Sequence, residues 1–235
     1  MNASIAFAKP VLSQVTPKLR SLDLAGPAGR LEAVVNEGAP NAPFAALVCH
    51  PHPLGGGNLH NKVVYHAMKV LNEPRWGCNF PVLRFNFRGA GTSEGVHNGE
   101  AEMGDVMATL NWLRSEYNLP VVLAGFSFGA AMAISACCSN SSASSSVRAL
   151  VALGLPTQNG DRTYRYSSLK HLAMPKLFVS GDHDQFAPAH ELSQVVASAA
   201  EPKNLAFILN SDHFFTGHLP EMQKQLAAWL KEQLL

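Results

Sequence analysis

A Gly-x-Ser-x-Gly motif, Gly125–Gly129 in the segment "LAGFSFGAAMA", is the feature of the sequence that points most directly to chemistry. An apolar run, "VVLA", comes directly before the motif, and a run of small residues typical of a closely packed helix, "GAAMAISA", comes directly after it. A nucleophile elbow needs this strand–turn–helix context, because the turn displays the serine hydroxyl and the helix N-terminus lies beside the reacting oxygen. The motif therefore predicts that Ser127 is a nucleophile. The alternative is a Gly/Ser turn that only joins a buried strand to a helix.

A serine hydroxyl needs a general base, and elbow hydrolases carry an acid and then a histidine downstream of the serine. The segment "KLFVSGDHDQFAP" offers Asp182 and Asp184, and "LAFILNSDHFFTGH" offers His213 and His218, each pair just after a strand-like run. We prefer Asp184, because Asp182 directly follows a glycine and is suited to shaping the turn. We prefer His213, because it is closer to the strand end than His218, which falls near the start of the last helix. The sequence thus predicts a Ser–His–Asp triad.

The segment "CHPHPLGGGNLHNK" follows a strand-like run and precedes a helical one, which is where such enzymes place the second donor to an oxyanion. The first donor is expected to be the backbone N–H of Phe128. The two prolines of the segment have no N–H, so His52 or Leu54 is expected to supply the second donor. We favour His52, and the sequence leaves both open. Gly55–Gly57 would let the backbone approach a substrate closely.

The same segment has a competing interpretation as a metal site. His50 and His52 are spaced as His-x-His at a strand end, and Asp182 or Asp184 could complete a ligand set. This hypothesis leaves the serine motif without a role. We therefore predict no metal ion and no cofactor, and we expect His50 to be a buried histidine hydrogen-bonded to backbone.

Strand-like and helical segments alternate along most of the chain, and together they would position these residues. Continuous apolar strands that alternate with helices predict an α/β fold with a mostly parallel sheet covered on both faces. Two strand-like runs near the N-terminus flank "AGPAG" and predict an antiparallel pair. Active sites in parallel sheets lie at the carboxyl ends of the strands. No internal repeat or linker is visible, so we expect one domain over residues 1–235.

The segment Leu155–Met174 lies between two late strands, where many hydrolases insert a lid. It contains no pair of long amphipathic helices, so we expect a minimal cap or none, and an open site. An open site favours short acyl groups over long-chain lipids. Four side chains of this segment could touch a substrate: Arg162, Tyr164, Arg165 and Tyr166.

Composition excludes several other classes of function. The chain is 47% hydrophobic and 15% charged with a formal net charge of +1, which argues against a nucleic-acid surface or a polybasic membrane patch. No apolar run approaches the ~18–20 residues of a membrane span, and the N-terminus lacks the features of a signal peptide. We expect a cytoplasmic protein with no nucleic-acid or membrane partner, and buried thiols in a reducing compartment at its four cysteines: Cys49, Cys78, Cys137 and Cys138.

Five segments, "HPHPLGGG", "FNFRGAGTSEG", "GFSFGA", "GDHD" and "DHFFTG", together resemble the α/β-hydrolase superfamily. They are most similar to small bacterial α/β hydrolases distantly related to dienelactone hydrolases and serine aminopeptidases. The resemblance covers nearly the whole chain and implies the α/β-hydrolase fold, with Ser127 as nucleophile, Asp184 as acid and His213 as base. It also implies that Arg88 and Ser93 fix the loop beside the active site. Dienelactone hydrolases use a cysteine nucleophile, so the resemblance does not extend to their lactone substrate.

These residues predict an enzyme that hydrolyses carboxylic esters. The expected substrate is a small-molecule acyl ester with a short acyl group, and the reaction is expected to pass through a covalent acyl-enzyme. A thioesterase, peptidase or amidase would use the same triad. A hydrolase-like fold that only binds a ligand is the alternative from another class of function.

Overall fold

The computed structural model describes residues 19–139, 144–160 and 162–235. Its described part contains ten strands and five helices. The strands are β1 (Leu19–Gly26), β2 (Gly29–Asn36), β3 (Ala45–Cys49), β4 (Val82–Phe85), β5 (Val121–Phe126), β6 (Val147–Leu153), β7 (Gln158–Asn159), β8 (Arg162–Thr163), β9 (Lys176–Gly181) and β10 (Lys203–Ile208). The helices are α1 (Lys62–Asn72), α2 (Glu102–Tyr117), α3 (Phe128–Cys138), α4 (Ala189–Ala197) and α5 (Leu219–Gln233).

Eight of the strands form one sheet, in the order β1-β2-β4-β3-β5-β6-β9-β10. The first two form the expected antiparallel pair, and β2 also runs antiparallel to β4. All other neighbours in this sheet are parallel. The predicted mostly parallel sheet is therefore confirmed, and the carboxyl ends of β3, β5, β6, β9 and β10 share one edge.

Helices cover both faces of the sheet, as predicted. One apolar core packs beneath α2, α3 and α4, and the other beneath α1 and α5. The fully buried strand β3 contributes to both cores, because successive side chains of a strand point to opposite faces of the sheet. Ala45, Leu47 and Cys49 belong to the first core, and Ala46 and Val48 belong to the second.

The segment between β6 and β9 is short, which confirms the prediction of a minimal cap. Its described residues form the two-residue strands β7 and β8, which pair with each other, and a short 3-10 turn, Ser167–His171. The hydroxyl of Tyr166 donates a hydrogen bond of 2.7 Å to the carbonyl of Pro156, which belongs to the same segment. Tyr166 is buried, whereas Tyr164 is only partly buried.

Two further expectations concern a membrane span and the state of the cysteines. None of the five described helices has both the length and the apolar character needed to cross a bilayer. The four cysteines are free thiols, and Cys49, Cys78 and Cys137 are buried. Burial raises the pKa of the Cys49 and Cys137 thiols well above the ordinary value. The serine-rich sequence "SNSSASSS" (residues 139–146) is typical of a surface loop, and residues 140–143 of it lie outside the described residues.

Candidate active site

Ser127 lies in the sharp turn between β5 and α3, with φ 56° and ψ −122°. Two glycines make this turn possible because the chain approaches itself closely on either side of it. A Cβ at Gly125 would lie 2.4 Å from the Gly129 carbonyl oxygen. A Cβ at Gly129 would lie 2.5 Å from the carbonyl oxygens of both Cys49 and His50. The Gly-x-Ser-x-Gly pattern therefore packs α3 directly against the end of β3 and leaves the serine at the tip.

His213 lies in the loop that follows β10, at the same edge of the sheet. Its Nε2 is 2.9 Å from the Ser127 Oγ, and the residue is only 2% exposed. The ring packs in a tilted arrangement against Phe126, the last residue of β5, with 5.0 Å between ring centroids. A Cβ at Gly154 would come within 3.2 Å of the imidazole, so the residue that follows β6 must have no side chain to leave room for His213.

Asp184 follows β9 and bonds to the other side of the imidazole, with 2.8 Å between its Oδ2 and the His213 Nδ1. The carboxylate also accepts hydrogen bonds from the Ser180 hydroxyl to Oδ2 and from the Phe186 N–H to Oδ1, each 2.8 Å long. Because Oδ2 acts as the acceptor of the bond to His213, this bond requires the imidazole proton on Nδ1. The Nε2 is then free to accept the proton of the Ser127 hydroxyl.

The alternative acid and base from the sequence do not join this chain of hydrogen bonds. Asp182 instead accepts the backbone N–H of Ser211 at 3.2 Å and so ties the loops after β9 and β10 together. His218 is the residue immediately before α5. The structure therefore brings Ser127, His213 and Asp184 together and places the other two candidates elsewhere.

A cavity of about 250 Å³ opens at this point and contains the Ser127 and His213 side chains. One side of the cavity is formed by the segment after β3, which contributes His52 and Gly55–Gly57. Phe128, at the start of α3, also lines the cavity. Leu54 does not line the cavity and is 79% exposed. Of the two candidates for the second oxyanion donor, His52 is thus the one beside the serine.

His50, two residues before, is fully buried and has both ring nitrogens engaged with backbone. Its Nδ1 donates to the Pro51 carbonyl at 2.6 Å, and its Nε2 accepts the Phe87 N–H at 2.9 Å. Burial lowers the pKa of His50 to about 4, so the ring is neutral at pH 7. This is the backbone-bonded histidine expected from the sequence. Neither nitrogen has a lone pair left for a metal ion, and the described residues contain no group of three or more His, Cys, Asp or Glu side chains placed to hold one.

The hydrogen bond from His50 also orients its neighbour. The Pro51 carbonyl and the His52 N–H belong to one peptide group, and in a trans peptide they point in opposite directions. Fixing the carbonyl towards the buried imidazole therefore fixes the direction of the N–H. A Cβ at Gly57 would lie 2.2 Å from the same Pro51 oxygen, so this glycine is needed for the peptide to stay in place.

Arg88 and Ser93 hold the loop after β4, as the resemblance implied. Arg88 makes several hydrogen bonds to the buried Asp105 carboxylate, the shortest 2.6 Å long, and Asp105 raises the pKa of the guanidinium. The Ser93 hydroxyl donates to the Asn86 carbonyl at 2.7 Å and accepts the Glu32 N–H at 2.9 Å. These contacts join the loop to α2 and β2, beside Phe87 and the histidine it bonds.

The neutral state of His50 predicts a pH dependence of folding. The unfolded histidine takes up a proton near pH 6.5, whereas the folded one does so only near pH 4. The stability that neutral His50 contributes to the fold is therefore fully present above pH 6.5 and is lost as the pH falls towards 4. We expect wild type to lose about 2 kcal/mol more of unfolding free energy between pH 7 and pH 5 than His50→Asn, measured by urea denaturation. Equal losses in the two proteins would contradict this role.

The comparisons with known proteins agree with this architecture. An alpha/beta hydrolase domain model matches residues 52–230. The uncharacterized protein RP471 of Rickettsia prowazekii is 34% identical over 217 residues, which are 87% of this chain and 86% of that protein. The structure of an alpha-beta serine hydrolase homologue from Coxiella burnetii is 31% identical with a TM-score of 0.78, covering 89% of this chain and 96% of that one.

A second solved structure bears on the cap. The protein XC6422 from Xanthomonas campestris, described as an a/b serine hydrolase without lid, is 28% identical with a TM-score of 0.77. The match covers 92% of this chain and 94% of that chain. The family model extends over most of the sequence and includes every strand that leads into the cavity except β3. On the sheet order, the two layers of helices and these matches, the chain belongs to the α/β-hydrolase family.

Proposed function

We propose that this hydrolase cleaves carboxylic esters with short acyl groups, using Ser127 as nucleophile, His213 as general base and Asp184 as the acid that orients it. The observation that carries the proposal is the continuous chain of hydrogen bonds from the Ser127 hydroxyl through the imidazole to the carboxylate, inside an accessible cavity. Nucleophilic acyl transfer needs this arrangement, because a serine hydroxyl is a poor nucleophile until a base removes its proton.

The reaction follows from the positions of these atoms. As the Ser127 Oγ attacks the ester carbonyl, the His213 Nε2 takes the hydroxyl proton, and Asp184 stabilises the charged imidazole through Nδ1. The imidazolium then gives this proton to the leaving alcohol, and an acyl-enzyme remains. Water enters, loses a proton to the same nitrogen and releases the carboxylic acid.

Two backbone N–H groups are suited to the negative charge that develops on the carbonyl oxygen. Phe128 begins α3, so its N–H has no partner within the helix. No acceptor for the His52 N–H is found among the residues that the structure describes. Both residues line the cavity beside Ser127. We assign them as the oxyanion donors, because donors set in advance around this charge stabilise the transition state strongly.

The short-chain preference rests on the size and covering of the cavity. Its volume of about 250 Å³ is small for a ligand pocket, and the segment between β6 and β9 adds only a two-stranded hairpin above it. No described element forms a long apolar channel for an extended lipid chain. We therefore expect turnover to fall from p-nitrophenyl butyrate to p-nitrophenyl octanoate.

The test is hydrolysis of p-nitrophenyl acetate, butyrate and octanoate, together with labelling by a fluorophosphonate. Ser127→Ala is expected to lower kcat by about 10⁴-fold or more and to abolish labelling, because no other hydroxyl of the described residues bonds to the base. Ser135→Ala is the matched control: Ser135 lies on α3, and its hydroxyl donates only to the Ala131 carbonyl. Labelling that survives in Ser127→Ala, or a wild type that neither turns over nor labels, would overturn the proposal.

A further inference from the structure

The lining of the cavity is rich in aromatic rings. Tyr164, Phe186 and Phe214 come from three different segments: the chain between β6 and β9, the loop after β9 and the loop after β10. Tyr164 and Phe186 are partly buried, and Phe214 is 48% exposed. These rings therefore present apolar surface that no other described side chain covers fully, at the place where a substrate must lie.

Two of the rings are held in fixed positions relative to the proposed base. The Phe186 ring meets the His213 imidazole at 64° with 4.6 Å between centroids, and the Phe214 ring meets it at 86° with 5.1 Å. The backbone of each phenylalanine is also anchored. The Phe186 N–H donates to Asp184, and the Phe214 N–H donates to Asp212 at 3.1 Å.

Tyr164 is fixed on the other segment by a stack. Its ring lies nearly parallel to that of the buried Tyr166, with 7° between planes and 6.3 Å between centroids, and the Arg162 guanidinium lies 4.6 Å from its centroid. The Tyr164 N–H donates to the Thr157 carbonyl at 2.9 Å. A side chain held this way loses little freedom when a ligand binds, so its contacts contribute more of their energy to affinity.

The rest of the cavity lining consists of glycine backbone and side chains without a carboxylate, ammonium or guanidinium group. A Cβ at Gly56 would meet nothing within 4 Å, so there is open space beside the main chain at this part of the wall. No Asp, Glu, Lys or Arg is among the described residues that line the cavity. A charged group on the acyl part of a substrate would find no opposite charge in this lining, and the nearby Arg162 guanidinium already stacks on Tyr164 and donates to the Gly99 carbonyl.

We infer that the acyl group taken by this site is short, uncharged, planar and aromatic, a compact ring rather than an extended chain. The inference rests on the proposed ester hydrolysis and names its substrate class. Aromatic pairs in edge-to-face or offset geometry gain about two- to tenfold in binding beyond what the buried area gives, and a saturated ring of the same size gains none of this. The absence of charge in the lining separates such a substrate from an aminoacyl group, which needs a carboxylate for its ammonium.

The experiment compares two esters that differ only in the ring: p-nitrophenyl phenylacetate and p-nitrophenyl cyclohexylacetate. The methylene keeps the ring from conjugating with the carbonyl, so the two esters have similar intrinsic reactivity. We expect wild type to show about tenfold higher kcat/KM on phenylacetate, and Tyr164→Leu and Phe214→Leu each to lower this ratio about threefold or more. A carboxylate added at the para position of the phenylacetyl ring is expected to reduce turnover strongly.

Tyr65→Leu is the matched control, because Tyr65 is an exposed aromatic residue that does not line the cavity. It should leave the ratio unchanged. A wild-type ratio at or below one, or a ratio that survives in the Tyr164→Leu, Phe214→Leu double variant while hydrolysis continues, overturns the inference and leaves the proposed function intact.

A binding measurement decides the inference independently of turnover. Phenylacetamide and cyclohexylacetamide are uncharged and resist hydrolysis, and their affinities for the Ser127→Ala protein can be compared by ligand-observed NMR. Tighter binding of phenylacetamide supports the aromatic site. Equal affinities overturn it, whatever the ester assays show, whereas loss of both turnover and fluorophosphonate labelling in wild type would count against the proposed function alone.

Discussion

Asp184→Asn is expected to lower kcat for ester hydrolysis by about 10⁴-fold while leaving the fold in place. An asparagine whose Oδ1 keeps the Phe186 N–H would place its N–H₂ where Oδ2 now accepts from both the His213 Nδ1 and the Ser180 hydroxyl. The imidazole would then carry its proton on Nε2, pointing at Ser127, and could no longer accept the hydroxyl proton. The measurement is single-turnover and steady-state hydrolysis of p-nitrophenyl butyrate across pH.

Asp182→Asn is the control for this substitution, because it changes the same functional group two residues away. Asp182 Oδ1 accepts only a backbone N–H at 3.2 Å, and an asparagine oxygen can accept the same bond. We expect kcat close to that of wild type. If Asp182→Asn lost as much activity as Asp184→Asn, the assignment of the acid would be wrong.

Gly129→Ala is expected to destabilise the folded chain by about 1–3 kcal/mol, since overpacked sites typically lose this much. The new methyl carbon would lie 2.5 Å from two backbone carbonyl oxygens at the end of β3, and backbone cannot rotate aside as a flexible side chain can. The start of α3 must therefore move away from the sheet, and Ser127 moves with it. Urea denaturation measures the loss of stability, and esterase assays on the folded protein should show lower kcat as well.

Gly55→Ala provides the comparison for that prediction. A Cβ at Gly55 meets only the His52 Cβ, at 4.0 Å, and the residue does not adopt a positive φ. Its unfolding free energy is expected to stay within about 0.5 kcal/mol of wild type. If the two glycine variants were equally stable, the close approach of α3 to β3 would not constrain the fold as we describe.

Much of this architecture could be predicted from the sequence because its signals are local. The strand at Ala45–Cys49 is a short, wholly apolar run, and the N-terminal pair is separated by a Gly/Pro turn, so period and turn chemistry suffice to identify both. The candidate triad could also be located, because in this fold the residues that follow successive parallel strands meet at one edge. Ser127 directly follows such a strand, and Asp184 and His213 lie three and five residues after the ends of theirs.

Other parts depend on contacts that no local pattern reveals. Glu102 and Asp105 lie on an apparently amphipathic helix and would be placed on its solvent side, yet both are fully buried. Glu102 accepts the Asn98 N–H at 2.8 Å, and Asp105 binds a guanidinium from another loop. Ser180, which bonds the acid, lies inside a strand that reads as purely structural. The burial and bonding of these side chains depend on partners distant in sequence, which composition and periodicity do not reveal.

The backbone conformation of Ser127, the proposed nucleophile, has a consequence for stability. Its φ of 56° lies in the region that glycine adopts freely and that a residue with a Cβ occupies at a conformational penalty of about 1–3 kcal/mol. The surrounding sheet and helix must impose this conformation, so the hydroxyl is displayed against the residue's own preference. Selection for stability alone would replace this serine with glycine. A serine at a position where it weakens the fold is what selection for reactivity predicts.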